Sequence, residues 1–329
     1  MIVVTGAPGH LGNNLVRALL KRNFRVRCMV LAGESLVSLE GLDVEIAEGD
    51  VRNIDSLYRA FDGADVVYHL ASVISLLPGR SRLLDDVNVR GARNVAEACL
   101  KTGVRRLVYA SSIHALAEPP HGHVVDESCP CDPSRIAMAY SRSKARGTLE
   151  IMEVMQKGLD AVVVLPTGMI GPYDFKPSET GRMIVDYVAG RIPARVEGGY
   201  DFVDVRDVAE GHILAAENGK PGEKYILSGE WISLDDIMKE ISLATNVPFP
   251  RWRVPVGLAS AMALVFTSYS MMTGAKVLLN QDSISTLRSN SQISSEKARR
   301  ELGYSCRPVR ESIRDTVRWF QEARLLPNR

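Results

Sequence analysis

The stretch MAYSRSKA (138–145) places Tyr140 and Lys144 four positions apart in a segment patterned as a helix. Residues i and i+4 share one helix face, so the phenol and the amine are neighbours. A free tyrosine has a pKa near 10 and is almost wholly protonated at neutral pH, which makes it a poor base. An adjacent ammonium favours the phenolate, and a second cation favours it further. A fall of about three units corresponds to roughly 4 kcal/mol, within reach of two close cations in a dry site. The pair is therefore either a proton-transfer site or two solvated neighbours. The choice depends on what the chain builds around it.

The first 170 residues alternate short β-branched runs with helical patterns. Strand candidates lie at 2–5, 25–31, 44–49, 65–71, 106–112 and 161–166, with helical stretches such as 11–22, 88–103 and 139–158 between them. Strands alternating with helices of this length imply βαβ units and a parallel sheet covered on both faces. The run Val162–Leu165 is apolar at every position, as burial on both faces requires. After Gly171 the regularity breaks. A loop and helix (172–200) precede one further strand–helix–strand unit, FVDVRDVAEGHILAAENG…EKYILSG, and a mostly helical tail from Trp231.

The first strand runs into TGAPGHLG (5–12), whose Gly6, Gly9 and Gly12 form a G-x-x-G-x-x-G pattern before a helix. Glycines there permit a tight turn, close approach of a pyrophosphate to the backbone, and close packing of helix on strand. In this strand–turn–helix context the pattern predicts dinucleotide binding, with Pro8, His10 and Leu11 lining the same turn. Asp50 and Val51 in EGDVRN follow the third strand; the aspartate is placed either to accept from an adenine amino group or to cap a turn. At the end of the second strand an acidic residue would hold the NAD ribose, and an arginine the extra phosphate of NADP. This chain has Val30 and Leu31 there, with Glu34 in the loop beyond, so the cofactor reading is NAD or NADP with a lean to NADP.

Tyr140 follows YASSIHA (109–115) by about thirty residues, and those serines end a strand at the same sheet edge. The order of glycine turn, strand-end serine and tyrosine–lysine helix resembles the short-chain dehydrogenase/reductase superfamily. Further stretches resemble its extended branch, the NAD-dependent epimerase/dehydratase family: GDVRN, HLAS (69–72), VNVRGARNV (87–95), YSRSK, LPTGMIGP (165–172) and FVDVRDVA (202–209). The tail is similar to dihydroflavonol-reductase-like proteins, β-hydroxysteroid dehydrogenases and hopanoid-associated sugar epimerases.

The resemblance implies an α/β fold: a Rossmann-type doubly wound parallel sheet with a smaller, mostly helical C-terminal substrate domain. Residues 1–170 and 201–228 would form the dinucleotide-binding domain, and 171–200 with 229–329 the substrate domain. It also implies Tyr140 as catalytic acid/base, Lys144 as holder of the nicotinamide ribose, and Ser112 as hydrogen-bond partner of the substrate oxygen. Ser111, the run His69, Leu70 and Ala71, and Pro166 with Thr167 would border the cofactor. Asn88 would organise the site, while Asp204, Arg206 and Asp207 would tie the two domains together.

The activity expected is NAD(P)-dependent oxidation of a secondary alcohol, or reduction of a ketone or aldehyde, on an apolar ring. The alternatives are a sugar-nucleotide epimerase that returns its hydride, and a regulatory dinucleotide-binding protein without turnover. Tyr200 stands where sugar-nucleotide enzymes commonly carry an arginine, and Ser112-Ile113-His114 replaces the threonine–aspartate–glutamate triplet of the dehydratases. Both departures weaken the sugar-nucleotide reading.

Bulk properties agree with a small-molecule enzyme. The 329 residues are 46% hydrophobic and 24% charged with net charge +1, which argues against a nucleic-acid surface. Five scattered cysteines read as reduced thiols, and Met1 leads straight into a strand with no leader, so a cytoplasmic location is expected. HGH (121–123) and CPC (129–131) have one-residue spacers, shorter than zinc pairs use, and no metal is expected. The apolar run 254–266 falls short of the roughly 20 residues that cross a bilayer; it reads as core, pocket wall or a peripheral membrane contact. By resemblance, helices over 82–102 and 139–157 would pair two copies into a homodimer.

Overall fold

The computed structural model describes residues 1–74, 81–255, 257–264 and 292–327. Its centre is a seven-stranded parallel sheet. The strands are β1 (Ile2–Thr5), β2 (Val26–Val30), β3 (Glu45–Glu48), β4 (Val66–His69), β5 (Arg106–Ala110), β6 (Ala161–Pro166) and β10 (Lys224–Leu227), in spatial order β10-β6-β5-β4-β1-β2-β3. Strands β1, β4, β5 and β6 are buried at every position, because helices cover both faces. Val3, Val67, Leu107 and Val163 point to one core, while Val4, Tyr68, Val108 and Val164 point to the other. That alternation is the two-residue period of a strand.

On one side α1 (His10–Lys21) packs against α7 (Val205–Asn218). On the other, α4 (Gly91–Thr102) packs between α2 (Ile54–Phe61) and α5 (Ala139–Met155). A short α3 (Ser81–Leu84) leads into α4 through a π-helical turn at Asp85–Arg90, a feature frequent at functional sites. The expected helix 88–103 thus begins inside this turn.

The last strand–helix–strand unit departs from a simple continuation of the sheet. Only its second strand, β10, joins the main sheet. Its first, β9 (Gly199–Asp204), pairs parallel with β7 (Gly168–Ile170) and antiparallel with β11 (Glu230–Ser233) in a separate three-stranded sheet. Glycine permits this: a Cβ on Gly229 would lie 2.0 Å from the Phe202 carbonyl oxygen.

Near this sheet lie α6 (Glu179–Val188), α8 (Leu234–Thr245) and the two-stranded β8 (Ala194–Val196)–β12 (Trp252–Val254) ribbon. The chain closes with α9 (Glu296–Leu302) and α10 (Val309–Glu322). Arg206 donates to Asp204 at 2.7 Å and to Asp315 on α10 at 2.8 Å, while Arg307 donates to Asp207 at 2.7 Å. Asp204, Arg206 and Asp207 therefore hold the C-terminal segment onto α7.

Of the apolar run 254–266, residues 257–264 form a helix; residues 256, 265 and 266 lie outside the described residues. Ala259 and Ala263 are buried against Val196 and Val254, whereas Leu258 and Leu264 are 55% and 60% exposed. One face is core, and the other carries these two exposed leucines. Among the described residues no helix is long and apolar enough to cross a membrane.

Candidate active site

The strand order changes direction between β1 and β4, and the crevice outside their carboxyl ends is where doubly wound sheets bind ligands. The glycine turn occupies that edge. Gly6 has φ +68°, and a Cβ there would lie 2.8 Å from the Ala71 nitrogen; a Cβ on Gly12 would lie 2.2 Å from the Gly6 carbonyl oxygen. The cradle is closed to side chains, as the close approach of a pyrophosphate to backbone at a helix N-terminus would require.

Thr5 fastens the next wall. Its Oγ1 accepts from the backbone N–H groups of Leu70 and Ala71 at 3.2 Å and lies 2.8 Å from His69 Nδ1. The run His69–Ala71 is thereby fixed beside Gly6. Burial and the Lys144 charge push His69 down to about 3, so it stays a neutral link.

Several residues expected at the cofactor have other partners for their side chains. His10 Nε2 lies 3.2 and 3.1 Å from the Gly171 and Pro172 carbonyl oxygens, which ties α1 to the loop after β7. The Asp50 carboxylate accepts from the Arg52 backbone at 2.9 Å and from its guanidinium at 2.6 Å. Those hydrogen bonds from Arg52 hold its pKa below the usual carboxylate value. An adenine amino group would have to share that carboxylate. Val51 is buried and its side chain fills the space a Cβ on Gly91 would need. Thr167 donates to Asp201 at 2.6 Å, and Ser111 Oγ pairs with Thr148 Oγ1 at 2.7 Å.

The proton-transfer candidates meet where β5 ends and α5 begins. Ser112 caps a 3₁₀ turn, Ile113–Ala115, its Oγ accepting the His114 N–H at 3.3 Å. That contact leaves the hydroxyl proton to donate elsewhere. Tyr140 sits half-buried in the first turn of α5. Lys144, one turn on, is 3% exposed, and its Nζ donates to the Ala110 carbonyl at 2.6 Å. Asn88 in the π-turn braces the group, donating to Ser143 Oγ at 3.0 Å and accepting from the Val73 N–H at 2.8 Å.

Burial dominates the electrostatics of the site. It pushes the Tyr140 phenol up to about 12 and the Lys144 amine down to about 7. Both shifts favour neutral forms, as low dielectric demands. The phenol is therefore not activated by the chain alone.

One pair escaped the sequence analysis. Tyr200 Oη lies 3.0 Å from His114 Nε2, and the rings stack at 5.6 Å with planes 14° apart. Burial pushes His114 down to about 4 and the Tyr200 phenol up, with the charges of Asp201, Glu118 and Tyr140 adding to the latter. A neutral imidazole thus holds a neutral phenol beside the Ser112 turn. The signal was present only as an arginine replaced by tyrosine. Among the described residues no three His, Cys, Asp or Glu side chains gather as a metal site.

Sterol demethylase protein B of Methylococcus capsulatus is 37% identical over 322 residues, covering 97% of this chain and 98% of that protein. The 3beta-hydroxysteroid-dehydrogenase/decarboxylase isoform 1 of Arabidopsis thaliana is 30% identical, covering 97% and 79% respectively. The crystal structure of gox2253 superposes with a TM-score of 0.87 at 35% identity, over 99% of both chains. The family model for the NAD dependent epimerase/dehydratase family matches residues 2–228. With a parallel sheet, a glycine cradle at its switch point and relatives matched along nearly its whole length, this chain belongs to the NAD dependent epimerase/dehydratase family.

Proposed function

We propose that the protein oxidises a secondary alcohol, or reduces the corresponding ketone, on a largely apolar ring substrate, with Ser112, Tyr140 and Lys144 as the reacting group. When bound, the dinucleotide supplies the hydride acceptor or donor and, in its oxidised form, a positive ring. Ser112 donates a hydrogen bond to the substrate oxygen. Tyr140 takes the hydroxyl proton during oxidation and returns it during reduction. Lys144 binds the ribose and favours the phenolate as an ammonium.

The observation that carries this reading is the burial of Lys144. A lysine four residues from a tyrosine on a surface helix ordinarily reaches solvent; enclosing its amine has a large desolvation cost, which a site that uses the amine would explain. The steroid and sterol names of the two relatives support a ring substrate. The exposed Leu258 suits an apolar ligand or a membrane surface, and α4 and α5, exposing Leu100 and Leu149, suit pairing of two copies.

A turnover screen with sterols, other ring alcohols and ketones, and nucleotide sugars, each with NAD and NADP, tests the proposal. Reduced cofactor should accumulate with a ring alcohol. Interconversion of a nucleotide sugar without net cofactor reduction would instead establish an epimerase.

A further inference from the structure

Ser112 follows β5 and caps the 3₁₀ turn Ile113–Ala115, so the direction of its hydroxyl depends on where that turn sits. Within the turn the Ala115 N–H donates to the Ser112 carbonyl at 2.9 Å, and the Leu116 N–H donates to the Ile113 carbonyl at 3.1 Å. Its middle residue is gripped from outside. His114 Nε2 lies 3.0 Å from Tyr200 Oη on β9, and the two rings stack.

Tyr200 is itself held in place. Its ring meets Phe202 edge-on at 5.8 Å and lies against β7 at Gly168, where a Cβ would come within 3.0 Å of Tyr200 Cδ1. The next residue, Asp201, accepts from Thr167 at 2.6 Å and from the Gly229 N–H at 2.9 Å, which ties β9 to the residues that enter β7 and β11. Burial pushes His114 down to about 4 and the Tyr200 phenol up. Near neutral pH one hydrogen atom therefore joins two uncharged rings, whichever of them donates it.

We propose that His114 and Tyr200 are positioning residues: together they clamp the Ser112 turn to the β7-β9-β11 sheet and so fix the Ser112 hydroxyl relative to Tyr140 and Lys144. This rests on the reading in which Ser112 meets the substrate oxygen. Neither ring needs to touch the reacting atoms, because a misplacement of about 1 Å can slow a reaction about a hundredfold.

Tyr200→Phe and His114→Phe each keep a ring for the stack and lose the hydrogen bond, while His114→Gln keeps a polar group to meet Oη. Steady-state kinetics on whichever compound of the screen wild type converts, with a thermal melt of every variant, test the clamp. Each phenylalanine variant should lower kcat about tenfold, with KM and NAD affinity within about threefold of wild type. The double variant should lose no more turnover than either single one, and His114→Gln should keep at least about a third of wild-type kcat. Removing both polar partners leaves neither orphaned, so the double variant should melt above the single ones without regaining turnover, which separates positioning from stability. Wild-type kcat in both folded single variants, a loss confined to KM, losses that multiply in the double variant, or His114→Gln as slow as His114→Phe would overturn the clamp. A wild type that converts none of the compounds would instead overturn the turnover reading on which it rests.

Discussion

Tyr140→Phe should cut turnover at least about a hundredfold while changing NAD affinity by no more than about threefold. The substitution removes one oxygen and keeps the ring. The Tyr140 backbone carbonyl still accepts from Ser143 Oγ, a 2.6 Å contact that helps start α5. Lys144 keeps its bond to Ala110, and the glycine cradle is untouched. What is lost is the group that carries the substrate's proton, and general acid–base groups contribute about 10²–10⁴ in rate. Steady-state rates on a substrate found by the screen, with a separate NAD titration, give both quantities. Wild-type turnover in the variant would remove Tyr140 from the chemistry.

Gly12→Val should abolish detectable NAD binding and lower stability by about 1–3 kcal/mol. The added Cβ would lie 2.2 Å from the Gly6 carbonyl oxygen and 2.8 Å from the Ala7 Cα. These are backbone atoms, so no side chain can swing aside. The turn must open, which spoils the cradle and the seat of α1 on β1 together. Calorimetric titration below the melting temperature separates the two effects, and a thermal melt measures the second. A variant that folds and binds NAD with undiminished affinity would refute the assignment of the cradle.

Much of this was legible in sequence because it is local. The strand at 161–166 and the helix starting at 139 lie where the pattern puts them, since uniform burial and helical spacing are properties of contiguous residues. The glycine turn is likewise contiguous. What could not be read depends on residues brought together by the fold. His114 and Tyr200 are 86 positions apart, and only the separate β7-β9-β11 sheet makes them neighbours. Thr167 and Asp201 meet through the same sheet. Glu34 was hidden differently: its sequence distance from β2 says nothing about the turn in which its carboxylate accepts from the Leu31 N–H at 3.1 Å. Asp50 shows the converse, a carboxylate engaged by Arg52 two residues away that an adenine amino group would have to share.

The central claim is that a bound dinucleotide makes the phenol acidic where the chain alone does not. Burial pushes Tyr140 up to about 12, whereas a neighbouring positive ring and a charged Lys144 would favour the phenolate and lower that value. A pH titration of ¹³Cζ-labelled tyrosine by NMR, with Tyr140→Phe identifying the resonance, measures it with and without NAD. The account predicts a fall of at least about five units when NAD is present, the drop from about 12 needed to reach neutral pH. The same titration midpoint in both conditions would contradict it.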